Sequence, residues 1–188
     1  MKKFFFLLSA LTSGLYAAEL TLDRYDARDV AAVCAIESTL KTVYLRAFER
    51  VYKDYWTAEF EQLDRDYFDS HVEKLKHDNQ MFIVAAKKNG TVAGWIFFSC
   101  HEQSAIIDII CIDPAFQQQG IGKALIFSIR DYVPAIKTIQ VATRRINAIS
   151  PLFYEKVGFV KTNFVPEDFT ADEVQGYELN LDTDVAIT

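Results

Sequence analysis

The sequence predicts an α+β domain built on one mixed central sheet of six to seven strands flanked by helices, and three observations carry that expectation. Two β-prone runs, Met81 to Ala86 and Thr91 to Cys100, are joined by Lys87-Lys88-Asn89-Gly90. Asn-Gly between apolar runs is a strong hairpin signal. A helical pattern opens at Gly120 and is followed by a short strand, Thr138 to Ala142, so a crossover returns the chain to the sheet. Finally, 188 residues that are 51% hydrophobic and 24% charged suffice for one packed core and would be cramped as two.

Taken in order, Met1-Lys2-Lys3, then Phe4-Phe5-Phe6-Leu7-Leu8, then small residues to Ala17-Ala18 have the layout of a secretory signal peptide. The segment is too short for a transmembrane helix. A cut after Ala17 leaves Leu15, and one after Ala18 leaves Tyr16, where a small residue is preferred. A hydrophobic N-terminal strand and a start codon placed too far upstream therefore stand as alternatives. The division expected is a signal peptide over 1–18 and a single domain over 19–188, exported through the leader, or cytoplasmic if the leader is not cleaved. No stable membrane insertion of the mature domain is expected. Cleavage would remove Lys2 and Lys3 and take the charge from −6 to −8.

Leu20 to Tyr25 alternates as a first strand, and Asp26-Ala27-Arg28-Asp29 resembles a capping box opening a helix through Ala31, Ala32, Ala35 and Ile36. From Leu40 to Asp78 the chain is aromatic and charged without strand alternation, which predicts two or three helices over a sheet. After the hairpin, a short turn at His101 to Ser104 leads into a third antiparallel strand, Ala105 to Ile112. The helix from Gly120 places Ile121, Leu125, Ile129 and Tyr132 on one face and stops at Pro134. Pro151 to Val157 reads as a short helix ended by Gly158. Strands Phe159 to Val165 and Tyr177 to Leu181 finish the order β-α-α-β-β-β-α-β-α-β-β, separated by an acidic loop, 166–176.

Twenty Lys and Arg stand against 26 Asp and Glu, an excess of acid that argues against nucleic acid as a partner and suits a basic or neutral one. Cys34, Cys100 and Cys111 have no metal-ligand spacing, and an odd count of scattered thiols reads as buried, reduced side chains. His71, His77 and His101 do not cluster with acids at metal spacing and are expected at the surface, so no metal is expected. Residues 54–78 hold eight acids against three bases, which reads as a solvated helix face or, alternatively, as a lure for a cationic molecule such as a polyamine or a lysine-bearing peptide.

The most informative segment runs from Ile110 to Ala124, from a strand through a Pro-marked turn into a helix with a glycine-rich first turn. A helix N-terminus carries unpaired N–H groups and partial positive charge, so Gly120 and Gly122 let a pyrophosphate approach donors that a side chain would shield. A junction chosen for close packing is the competing reading. The segment is not a P-loop, because Lys123 follows Gly122 directly with no Ser or Thr next, and it lacks the third glycine of a dinucleotide fingerprint.

Ile-x-Pro-x-x-Gln-x-x-Gly-x-Gly at 112–122 resembles motif A of the GNAT acetyltransferases, with Gln117 at the usual Arg/Gln position. Asn147, Tyr154-Glu155-Lys156 and Gly158-Phe159 resemble the family's motif B at the family's spacing. With Gly94-Trp95, the resemblance covers roughly residues 81–165. It implies the GNAT acyl-CoA N-acyltransferase fold with acetyl-CoA as co-substrate. It also implies that the backbone of the strand Ile110, Cys111, Ile112 binds the pantetheine arm, since backbone pairing makes few demands on side chains. Gln117, Gln118, Gln119, Gly120, Ile121, Gly122, Lys123 and Ala124 would bind the pyrophosphate, and Asn147 and Tyr154 would flank the thioester. For Asn147 a helix cap is the equal alternative.

An amine with a pKa of about 10.4 must lose a proton before it attacks a thioester. Asp108 is the candidate base, on the central strand where many relatives carry Glu; a structural ion pair is the competing role. Tyr154 is the candidate acid for the departing thiolate, against a plain core aromatic, and the backbone N–H of Ile110 is the expected oxyanion donor. Cys111 has no basic neighbour to make a thiolate and is read as packing. The expected function is N-acetyl transfer by direct attack of a primary amine of a small molecule or peptide. The alternatives are an acyl-CoA-binding sensor or scaffold with little turnover, and the same fold with another acyl donor. Many relatives pair through terminal strands, so a homodimer is a possible assembly.

Overall fold

The computed structural model describes residues 19–182 and the two-residue strand β1, Phe4–Phe5. The rest of the expected leader lies outside the described residues. The elements that follow are β2 (Leu20–Asp26), α1 (Val30–Val51), α2 (Ala58–His77), β3 (Met81–Lys88), β4 (Thr91–His101) and β5 (Ser104–Ile112). Then come α3 (Ile121–Tyr132), β6 (Thr138–Arg144), α4 (Ser150–Val157), β7 (Val160–Thr162) and β8 (Val174–Asn180). From β2 onward this is the predicted order, with seven strands and four helices.

The sheet runs β1-β2-β3-β4-β5-β6-β8-β7. Among the described residues β5 and β6 are the one parallel pair, joined by the crossover through α3. The Asn89-Gly90 turn has positive φ at both residues, 51° and 79°, as a two-residue hairpin loop requires. Each sheet face carries a core. Val84, Ile96, Phe98, Ile139 and Leu179 pack under α3 and α4, while Ile83, Trp95, Phe97 and Ile109 pack under α1 and α2. Trp95 is 1% exposed and its Nε1 donates to the Leu40 carbonyl at 3.0 Å, which ties α1 to the sheet.

Three details differ from the sequence reading. The helix expected through Ile36 does not stop before Leu40: α1 is continuous to Val51, because no Gly or Pro interrupts it and Thr42 returns its hydroxyl hydrogen bond to Ser38 O within the helix. Asp26 caps a 3-10 turn and Asp29 caps α1 itself, accepting from Ala32 N at 3.1 Å. The strand expected over Phe159 to Val165 shrinks to three residues at the sheet edge, pairing β8, which starts at Val174.

Candidate active site

The cleft begins where β5 and β6 part. Their parallel register runs from Ser104↔Thr138 to Ile107↔Val141 and ends there. On its other side β5 carries a bulge against β4, since Phe97 faces Ile109 and Phe98 faces Ile107, leaving Asp108 as the extra residue. The bulge changes the phase of the pleat. Ala105 and Ile107 face the α3 and α4 core, whereas Ile109 and Cys111 face the α1 and α2 core. Ile110 and Ile112 then turn to the α3 side, next to an edge of β5 that β6 no longer pairs.

The opening is a cavity of about 1100 Å³ that continues to the N-terminus of α3. Gly120 sits there at φ 79°, a left-handed conformation that disfavours side chains, and Gln118 is also left-handed at φ 60°. At Gly122 a Cβ would come within 2.9 Å of Phe153 Cζ, so the first turn of α3 is held bare against α4. Arg50, Lys123 and Lys156 line this end. The cavity also touches Gln117, Gln118, Gly120, Ile121 and Gly122, whereas Gln119 and Ala124 are not on its wall. Gln117 donates through Nε2 to the Ile112 carbonyl at 3.1 Å, bracing the loop, and Gln119 accepts from Lys88. Asp113, within the same motif, is 4% exposed; it caps the 3-10 turn through Ala115 N and pairs with Arg46 of α1 at 2.8 Å.

Asn147 and Tyr154 flank the middle of the cleft. Asn147 Oδ1 accepts from the N–H groups of Ile149 and Ser150, both at 3.0 Å, and Nδ2 donates to Ser150 Oγ at 2.7 Å. Its side chain therefore caps the start of α4, the second of the two roles expected for it. Tyr154 is 4% exposed against Phe159 and Tyr177, and burial together with Tyr52 and Tyr177 pushes its phenol well above the usual range. It therefore stays protonated at any working pH.

The far end is built from α1, α2, β6 and the loop before β8. Tyr44, Tyr52, Tyr67, Asp64, Arg144 and Asp168 line it together with Asp108. Burial holds the Asp108 carboxyl up at about 7; Lys74 pulls it down and Asp168 pushes it further up. Its Oδ2 is sealed from solvent and has no hydrogen-bond partner. Asp64 is 2% exposed, is raised by burial to about 6 against the pull of Arg144, and also has an unpartnered Oδ2. Its Oδ1 lies 3.8 Å from Arg144 Nη2, while the Arg144 guanidinium stands 5.2 Å over Phe60 and 6.0 Å over Tyr52.

The sequence reading singled out Asp108 and missed Asp64, Tyr67 and Arg144. The acid-rich run 54–78 was the available signal: most of it is a solvated face, but Asp64 points inward. Two other expectations fail. His71 is 4% exposed, not at the surface, with Nδ1 2.9 Å from the Tyr67 carbonyl and its ring edge against Phe97. Cys34 is exposed, whereas Cys111 is buried with its thiol pushed far up by burial, which keeps it from acting as a thiolate. Among the described residues no group of three His, Cys, Asp or Glu could hold a metal ion, and no helix is long and apolar enough to cross a membrane.

Against known proteins, the model of the acetyltransferase (GNAT) family matches residues 45–159. The chain is 28% identical over 85 residues to the ribosomal protein bS18-alanine N-acetyltransferase of Escherichia coli strain K12, which is 42% of this chain and 57% of that relative. The match thus spans little more than half the length of the curated relative. Among solved structures, the PaiA N-acetyltransferase of Thermoplasma acidophilum in complex with coenzyme A superposes with TM-score 0.68 at 15% identity, covering 86% of this chain and 99% of that one. An acetyltransferase of Thermus thermophilus gives 0.63 at 13% identity, covering 86% and 97%. At these identities the likeness is one of fold.

Proposed function

Because the chain belongs to the GNAT acetyltransferase family, we propose that it transfers an acetyl group from acetyl-CoA to a primary amine by direct attack. The observation that carries this reading is Asp108, a carboxyl at the apex of the β5/β6 parting, unpartnered at Oδ2 and held near 7. That is where a general base must titrate to work near neutral pH. The residues present fit the cofactor. The freed edge of β5 at Ile110 and Ile112 offers backbone pairing to the pantetheine amides, and the bare N-terminus of α3 with Lys123 offers donors and charge to a pyrophosphate.

When bound, acetyl-CoA supplies the thioester carbonyl. The acceptor nitrogen loses a proton to Asp108, directly or through a water, and attacks that carbonyl carbon, and the carbon–sulfur bond breaks. The N–H of Ile110 would hold the oxyanion. Tyr154, kept a phenol by burial, would give its proton to the departing sulfur and regain one from the second proton that the nitrogen sheds as the amide forms. The reading as a sensor with little turnover loses support from Asp108, since a module that only binds acyl-CoA gains nothing from an orphaned, half-buried acid.

The test is release of free thiol when acetyl-CoA and a primary amine are mixed with the protein. Tyr154→Phe should lower kcat about 10²-fold with a smaller change in KM for acetyl-CoA. Undiminished kcat in that variant would remove Tyr154 from the chemistry.

A further inference from the structure

Resting on the acetyl-transfer reading, we infer that the acceptor is a small aliphatic diamine or polyamine, whose second ammonium is held by Asp64 while the first meets Asp108. Asp64 lies on α2, across the chamber from the bulge that carries Asp108, and both residues line one cavity. A carboxylate that is 2% exposed with one oxygen unpartnered costs stability unless something supplies it with donors. Among the described residues nothing does so for Oδ2.

Arg144 does not neutralise the demand. At 3.8 Å from Oδ1 it forms an ion pair without a hydrogen bond, and its guanidinium is spread over Phe60 and Tyr52. With Asp108 and Asp168 the chamber holds three acids against this one arginine. The walls between the acids are the rings of Tyr44 and Tyr67, and the Tyr67 phenol is raised by the charges of Asp108, Asp168 and Asp64 after its own burial. Tyr67 therefore lies within reach of both ends. Aromatic faces between two carboxylates suit a methylene chain with a cation at each end. An acceptor bearing a carboxylate, such as an amino acid, would add a fourth acid to a chamber where Asp64, Asp108 and Asp168 already face Arg144.

The experiment compares 1,4-diaminobutane, 1-aminobutane and 4-aminobutanoate, which share chain length and differ in the distal group. Each is titrated calorimetrically into the full chain and assayed for acetylation, beside Asp64→Asn and Asp64→Glu. The wild type should favour the diamine over the monoamine by about 10- to 100-fold in Kd and in kcat/KM, the value of one buried charged hydrogen bond, with the carboxylate compound weakest. Asp64→Asn should collapse the ratio towards one, and Asp64→Glu should restore part of it. A purely structural role for Asp64 would change all three amines together and leave the ratio standing. Equal binding of diamine and monoamine, or a ratio that survives Asp64→Asn, overturns the inference. The calorimetric ratio is read without acetyl-CoA, so it decides the matter even if acetyl transfer itself fails.

Discussion

Three cations, Arg50, Lys123 and Lys156, line the cleft towards the start of α3, whereas three carboxylates, Asp64, Asp108 and Asp168, stand among tyrosines towards α2. The two ends also differ in which atoms do the recognition. At the cation end the backbone of Gly120 to Lys123 and the freed edge of β5 are presented, and most side chains brace the loops. At the acid end the side chains themselves face the cavity, with two carboxylate oxygens left without partners. On the proposed reading, a cofactor grip made of backbone makes few demands on side chains, whereas an acceptor site made of side chains depends on which residues stand there.

The sharpest way to break that division is Asp108→Asn. If the acid end does the proton transfer and the cation end only binds, kcat/KM should fall by about 10²–10⁴ while acetyl-CoA affinity stays within about twofold. The wild-type rate should rise with pH through about 7, as the Asp108 carboxyl ionises, and the variant should lose that rise. Equal losses of rate and cofactor affinity would show that the two ends are not separable.

A smaller effect concerns stability. Burial raises Asp108 from an ordinary 3.8 to about 7 and Asp64 to about 6, so the folded chain keeps protons that the unfolded chain releases. Their contribution to stability is whole below about 3.8 and is lost as pH rises through about 6 and about 7. His71, lowered by burial, works in the opposite sense, since its contribution is lost as pH falls through its folded value. The clean quantity is therefore the difference between variant and wild type. Asp108→Asn should melt close to wild type at pH 3.5 and about 5 °C above it at pH 8, allowing for the partial exposure of Asp108. A variant that melts lower at pH 8 would mean that the Asp108 carboxylate is satisfied in the folded chain.

The cation end was legible in the sequence because its signals are local. Asn89-Gly90 fixes a hairpin, Gly120 and Gly122 mark a bare helix start, and Pro134 and Gly158 stop helices, each within a few residues. Asp113 reads as part of the same motif, but its pairing with Arg46 is 67 positions away and leaves no local trace. The acid end was mostly illegible for the same reason. Asp64 and Arg144 meet across 80 positions, and Asp64 is one acid among eight in an exposed-looking run. The bulge at Asp108 is equally hidden, because the alternation of Ser104 to Ile112 continues through it while the faces exchange. His71 looked like a surface residue because a lone histidine carries no sign of the Tyr67 carbonyl that satisfies it.

The central claim is most directly tested by calorimetric titration of acetyl-CoA into the purified full chain and into Gly120→Glu, with melting curves to confirm that both are folded. The account predicts one binding event per chain in the wild type and none in the variant, whose side chain brings negative charge and a disfavoured left-handed backbone to the start of α3. A folded wild type that binds no acetyl-CoA, or a folded Gly120→Glu that binds it as well as wild type does, would contradict it.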